Sequence, residues 1–312
     1  MTSRHVLVTG GAGFIGTHLC AVLLRRGDRV TVLDNLSADH LLALGDLPQG
    51  DAFALLRHDV TEPFMVSDRV DAVVHMATPN GPDAIRRRPI DTLRANSIGT
   101  MHALEVARHH GARFVLVSTG DVYGDPLVHP QHEDYRGNVD PGGPFSAYTE
   151  GKRFGEALVA AYVIQHSLNA GVVRPANIYG PGMGSAYPGV VAAFITKAMA
   201  GQTLALQGGT QTRTFCFVSD FVGGLVAMLD SAELGPINLG TAEEVTIRDL
   251  AELIVKTVGT GTIEIILGRD QEAARRCPDI TRARELLGWK PQVPLSEGIE
   301  RTVDWARTER TG

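Results

Sequence analysis

"VLVTGGAGFIG", Val6 to Gly16, is the stretch from which the fold can be read. An aliphatic run ends in glycines at Gly10, Gly13 and Gly16, and a helix-like pattern, "GTHLCAVLLRRG", follows at once. Gly11, Gly13 and Gly16 also satisfy the G-x-G-x-x-G spacing. Such glycines let the chain turn tightly and let its backbone approach a pyrophosphate. The start of the next helix adds unpaired N–H groups and the positive end of a dipole. The second apolar run, "RVTVLD", ends in Asp34, about twenty residues on, where a carboxylate can take the ribose hydroxyls of an adenosine. That carboxylate repels a 2′-phosphate, so the expected cofactor is NAD rather than NADP.

Working outward, further strand-like runs alternate with helical patterns: "AFALL", "DAVVHMA", "RFVLVST" and "AGVVRPA". Apolar strands separated by helices predict an α/β fold, a Rossmann-type doubly wound parallel sheet covered on both faces. Gly27 and Gly111 stand where helix C-caps are expected. After "NIYGPG" the pattern shifts to short helices, Gly-rich turns and brief strands, with "FCFVSDFVGGLVAML" and "PINLGTA" read as a return to the main sheet. The expected organisation is a nucleotide domain over 1–180 with a return segment at about 215–240. A smaller, interleaved C-terminal substrate domain takes 181–214 and 241–312.

Composition removes other classes. A formal net charge of −6, with no like-charge run beyond Arg86–Arg88, argues against sequence-independent nucleic-acid binding. Cys20, Cys216 and Cys277 lack CxxC spacing and read as reduced thiols. No apolar run approaches the eighteen or so residues of a membrane span, and "MTSRHVLVTGG" enters a strand with no room for a signal peptide. The expected location is cytoplasmic. His129 and His132 have no third ligand, so no metal is expected.

Tyr148 and Lys152 are four apart in a helical segment, "YTEGK", and so share a face. A lysine ammonium near the phenol favours the phenolate. Such a tyrosine can exchange a proton with a substrate alcohol while a nicotinamide takes the hydride. Thr119, ending the strand before "GDVYGDP", offers a hydroxyl to the same oxygen. Asp59 and Val60, and "HMAT" with Ala77 and Thr78, stand at other strand ends on the ligand-binding edge. His75 within it is read as a packed residue.

With these residues assembled, the chain resembles the extended short-chain dehydrogenase/reductase family that acts on nucleotide sugars. "TGGAGFIG", "VLDN", "STGDVYGDP", "YTEGK", "RPANIYGPG", "QTRTFCFVSD" and "INLG" fall in the family's order almost end to end. "YGDPLVHPQHEDYRGNVDPGGP" and "RRCPDITRARELLGWKPQVPLSEGI" are most similar to the UDP-glucuronate decarboxylases. The resemblance implies NAD-dependent conversion of UDP-glucuronate to UDP-xylose through a 4-keto intermediate, with the cofactor regenerated. Thr119, Asp121, Tyr148, Lys152 and Arg276 would be catalytic. Asn177 and Arg213 would hold the nucleotide diphosphate, Arg276 a sugar carboxylate, and Arg275 would assist. The expected cofactor-binding set is Gly10, Gly13, Phe14, Ile15, Gly16, Asp34, Asn35, Asp59, Val60, Ala77, Thr78, Asn96, Tyr148 and Lys152. The resemblance also implies a homodimer formed by helices holding Asn96–His110 and Tyr148–His166. Met101, Leu104, Leu158 and Tyr162 read equally as its seam or as core.

Departures sharpen the expectation. The decarboxylase pattern Ser-Thr-Ser-Glu is here Ser118-Thr119-Gly120-Asp121. Gly120 cannot supply the acid that 4,6-dehydration needs, so decarboxylation leads and 4-epimerisation is the alternative. "TPNGPDAIRRRP" lacks the tyrosine usual in the decarboxylases, with Ile85 and Arg87 nearby, and the "NLSADHLLALGD" loop lacks the usual aromatic-glycine sequence. Ala192-Ala193 and Cys277 also depart from the pattern. Arg86–Arg88 read as a solvated helix face.

Overall fold

The computed structural model describes residues 3–37, 50–79, 81–183, 189–266 and 275–309. The departing loop "NLSADHLLALGD" lies outside them from residue 38 onward. The strand-like runs form β1 (His5–Thr9), β2 (Arg29–Asp34), β3 (Phe53–Arg57), β4 (Ala72–His75), β5 (Arg113–Val117) and β6 (Ala170–Pro175). Joined by Ile237–Leu239, they make one seven-stranded parallel sheet, ordered Ile237–Leu239, β6, β5, β4, β1, β2, β3. The order reverses between β1 and β4, and in open α/β sheets that reversal opens a crevice at the carboxyl ends of the strands.

The two-residue strand period sorts the core. Val6, Val8, Val30, Val32 and Val115 face one side and pack with Leu19 and Leu23 of α1 (Phe14–Arg25) and Phe221 and Leu225 of the helix Val218–Asp230. Leu7, Leu33, Val73, Phe114 and Leu116 face the other side. There they meet Leu104 and Val106 of the helix Thr100–His110 and Val159 of the helix Ser146–His166. Leu104 is therefore core, Leu158 and Tyr162 are half-buried against it, and Met101 alone of the four is exposed. Gly111 ends its helix in the left-handed region (φ 63°), a conformation that costs glycine little.

The return to the sheet is half as expected. Ile237–Leu239 pairs with β6, but Cys216–Phe217 pairs with Ile178–Tyr179 in a separate two-stranded ribbon. Both residues are buried, and an apolar run signals burial without naming the sheet that provides it. Beyond it, Thr203–Gln207 pairs with Thr262–Ile266, and Thr212–Thr214 with Glu244–Thr246. Thr246 then caps the helix Ile247–Val258: its hydroxyl accepts from Asp249 N at 2.9 Å, and Asp249 takes its N–H in return. Ile299 and Val303 dock the helix Leu295–Glu309 onto the core. Among the described residues no helix is long and apolar enough to cross a membrane.

Candidate active site

A cleft of about 1580 Å³ runs along the carboxyl edge of the sheet. Gly10, Gly13, Phe14, Ile15, Gly16, Asp34, Asn35, Asp59, Val60, Ala77 and Thr78 line one part, and Thr119, Asp121, Tyr148, Lys152, Asn177, Arg213 and Arg276 another. Asn96 and Arg275 do not line it. Asn96 is buried in a π-helical turn (Ala95–Gly99), where its amide donates to Thr78 Oγ1 and Thr92 O, both at 2.9 Å, so it reaches the cleft only through Thr78.

The residues at the glycine end fit a dinucleotide. α1 begins at Gly13 with no side chain capping its first N–H groups and no acid in its first turn, which leaves donors and a dipole for a pyrophosphate. The cradle admits no side chain at its base: a Cβ on Gly16 would lie 2.5 Å from Gly10 O and 2.5 Å from Gly11 Cα. Asp34 accepts the Ala12 N–H at 3.1 Å and the Leu36 N–H at 2.9 Å, so the acid that ends β2 also ties the glycine loop to it. Asn35 reaches Asp59 at 3.1 Å, and Asp59 turns its backbone through Thr61 N and Oγ1.

At the other end, Lys152 donates to Val117 O at 2.9 Å and is 3% exposed. Burial pulls its ammonium down to about 8, against the opposing pull of Glu156 one turn along the helix. Tyr148 differs from expectation: burial, and then the Asp121 carboxylate, push its phenol above the ordinary range, while a hydrogen bond with Thr119 pulls it down. Desolvation outweighs the lysine here, whose ammonium is turned to a backbone carbonyl. His75 is a packed residue, as read, bridging Thr9 Oγ1 (2.7 Å) and Thr100 Oγ1 (3.1 Å), with burial holding it down at about 3.

Asp121 folds back onto the end of β5, its N–H donating to Thr119 Oγ1 at 3.1 Å. Its Oδ2 accepts Thr119 Oγ1 at 3.3 Å, and its Oδ1 accepts Arg276 Nη1 at 2.6 Å. The Arg276 Nε is buried without a partner in the described structure. Arg275 turns outward instead, to Glu244 at 3.0 Å and His129 at 2.7 Å, because successive residues of an extended segment point to opposite sides. Asn177 Nδ2 donates to Thr214 O at 2.8 Å, and the buried Arg213 precedes Thr214 on the strand that pairs with Glu244–Thr246. A Cβ on Gly120 would come within 3.2 Å of Pro175 O, so a larger residue there needs β6 to yield slightly. Among the described residues no three metal-binding side chains gather.

Behind the cleft lies a polar network that pattern reading missed. Glu156 accepts Ser118 Oγ at 2.6 Å and both Nε (3.0 Å) and Nη2 (2.6 Å) of Arg174, which also reaches Tyr123 OH at 3.0 Å. Tyr123 OH donates to Asn238 Oδ1 at 2.8 Å. The one available signal was an asparagine inside the apolar strand "INL".

A parallel sheet with this order and a glycine loop opening onto a cleft at its carboxyl edge define a dinucleotide-binding scaffold. The chain belongs to the NAD dependent epimerase/dehydratase family, whose description matches residues 6–240. It is 42% identical over 308 residues to UDP-glucuronic acid decarboxylase 1 of Xenopus tropicalis, covering 98% of this chain and 73% of that one. It is 43% identical over 304 residues to UDP-glucuronic acid decarboxylase 6 of Arabidopsis thaliana, covering 96% and 87%. Among solved structures it is similar to MoeE5 in complex with UDP-glucuronic acid and NAD, with a TM-score of 0.81 at 25% identity over 98% of this chain and 99% of that one. The UDP-glucose 4-epimerase of Thermotoga maritima, solved with UDP-glucose, gives a TM-score of 0.87 at 27% identity over 98% and 99%.

Proposed function

We propose that this chain decarboxylates UDP-glucuronate to UDP-xylose through a 4-keto sugar. The observation that carries the reading is Arg276: its guanidinium lines the cleft beside Thr119, Asp121 and Tyr148, where it pairs with the Asp121 carboxylate. A planar cation there suits a carboxylate on the sugar ring, and the likeness to decarboxylases supports the same substrate. Gly10, Gly13, Gly16 and the start of α1 hold the cofactor pyrophosphate, and Asp34 the adenosine ribose. Asn177 and Arg213 take the substrate diphosphate, and the described parts of 181–214 and 241–312 form the substrate domain.

NAD, when bound, supplies the acceptor for the hydride of C4 and the means of returning it. Tyr148 and Thr119 share the C4 oxygen, Tyr148 moving its proton and Thr119 fixing its position. The charged Lys152 favours the phenolate that takes that proton, and the phenol so formed gives it back when the ketone is reduced. Arg276 holds the carboxylate as it leaves as carbon dioxide; the C5–C6 electrons pass onto the ketone as an enolate, and C5 takes a proton from solvent before the ketone is reduced. A homodimer is part of the reading: Leu93, Ile98, Met101, Phe154 and Ile164 are exposed on helices that flank the sheet.

Proton NMR of the protein with NAD and UDP-glucuronate tests it. A UDP-pentose lacking the C5 carboxylate is expected. The C4 epimer is the outcome favoured by Gly120, which has neither hydroxyl nor acid, and it would replace decarboxylation with epimerisation. Unchanged substrate would refute both.

A further inference from the structure

We infer that Gln131 is a positioning residue for Arg276, fixing the chain on which the guanidinium stands and so setting preference for a sugar that carries a carboxylate. The inference rests on the reading of Arg276 given above. Arg276 is followed by Cys277, and Gln131 grips that residue from both sides. Its Oε1 accepts Cys277 N at 2.7 Å, and its own N–H donates to Cys277 O at 2.8 Å. Its carbonyl accepts Asp279 N at 2.9 Å and Asn238 Nδ2 at 2.9 Å, while its Nε2 is steadied by Val128 O at 2.7 Å. Gln131 is 3% exposed, so these bonds face no competition from water.

Asn238 ties the clamp to the sheet. It is 0% exposed; its N–H donates to Glu133 Oε1, and its side chain spends both polar atoms, Nδ2 on Gln131 O and Asp279 O and Oδ1 on the Tyr123 hydroxyl. The path from the edge strand to Arg276 thus runs Asn238, Gln131, Cys277. The only other backbone hold on Arg276 among the described residues is its N–H to Thr212 O, long at 3.3 Å. Without the Gln131 side chain, the Cys277 N–H loses its acceptor inside the protein, and the segment has reason to shift toward water. A displacement of this kind swings a long arginine away from a group it must meet in one plane.

The test uses the full chain with NAD and Gln131→Met, which keeps volume and removes the acceptor. KM for UDP-glucuronate and inhibition constants for UDP and UDP-glucose are measured in the wild type, Gln131→Met, Arg276→Ala and the double variant. The expected result is a rise of about tenfold in KM for UDP-glucuronate, with UDP and UDP-glucose inhibition changed less than about twofold. Adding Gln131→Met to Arg276→Ala should lose nothing more. Equal weakening of UDP, an unchanged KM, or a further loss in the double variant each overturns the positioning role. Arg276→Ala leaving the contrast between UDP-glucuronate and UDP-glucose intact overturns the assignment of Arg276 instead. If Gln131→Met does not fold, Gln131→Ser, which retains the backbone bonds, is measured in its place with the same expectations.

Discussion

Replacing Lys152 with methionine should flatten the alkaline rise of stability that this buried cation imposes. The ammonium is 3% exposed, and burial lowers it to about 8 from the ordinary 10.5. Below about pH 8 it is charged in both folded and unfolded chains, and the fold bears the full desolvation. Above that the folded state releases its proton first, while the unfolded state keeps its proton until about 10.5, so stability rises with pH across this window. The rise amounts to about 3 kcal/mol. It is complete above the unfolded value and lost as pH falls through the folded one. Urea unfolding of the wild type and Lys152→Met, at a series of pH values from about 7 to about 11, isolates this contribution as the difference between two curves. The bond to Val117 O is lost at every pH and offsets the curves without tilting them much. Relative to the variant, the wild type should gain stability as pH rises from about 8. In the same window its turnover should fall, since the ammonium that favours proton removal disappears. Parallel curves, or a difference of opposite sign, would refute the burial reasoning.

Tyr148→Phe should cut turnover of UDP-glucuronate by about 10²–10⁴-fold, with NAD and UDP affinities retained in binding titrations. Gly16→Ala drives a Cβ to 2.5 Å from backbone atoms of Gly10 and Gly11; thermal unfolding should show a loss of about 1–3 kcal/mol, with NAD binding abolished. Glu156→Ala strands the largely buried Arg174 guanidinium, whose side chain is 11% exposed, and should cost about 3 kcal/mol or more in denaturant unfolding. Asp34→Asn should narrow the preference for NAD over NADP by about tenfold or more in cofactor titrations, because the repelling charge is gone.

The glycine loop, the six main strands and the Tyr-Lys pair were legible because each is written locally, in a period or a short spacing. What was not legible depends on contacts far apart in the chain. Asp121 and Arg276 are separated by 155 positions, and no pattern near either one announces that they pair. The outward turn of Arg275 is a matter of which side of an extended segment each residue takes, and "ARRC" has no apolar alternation to reveal it. Cys216–Phe217 was assigned to the main sheet from its apolarity, yet two residues with Ile178–Tyr179 beside them satisfy the same need. The rise in the Tyr148 phenol was hidden for a related reason: spacing shows that a lysine is near, but not how deeply the hydroxyl lies or what carbonyl occupies the lysine.

The late arrival of Ile237–Leu239 at the sheet has a bearing on how the chain can be made and cut. Until those residues leave the ribosome, β6 presents its free backbone edge to whatever is nearby, and a growing chain in that condition is prone to pair with another copy. A fragment ending near residue 180 would carry the glycine loop and the Tyr-Lys helix, yet lack the strand that covers that edge. Halves expressed separately should therefore aggregate alone and recover only when made together, so the unit of synthesis is the whole polypeptide.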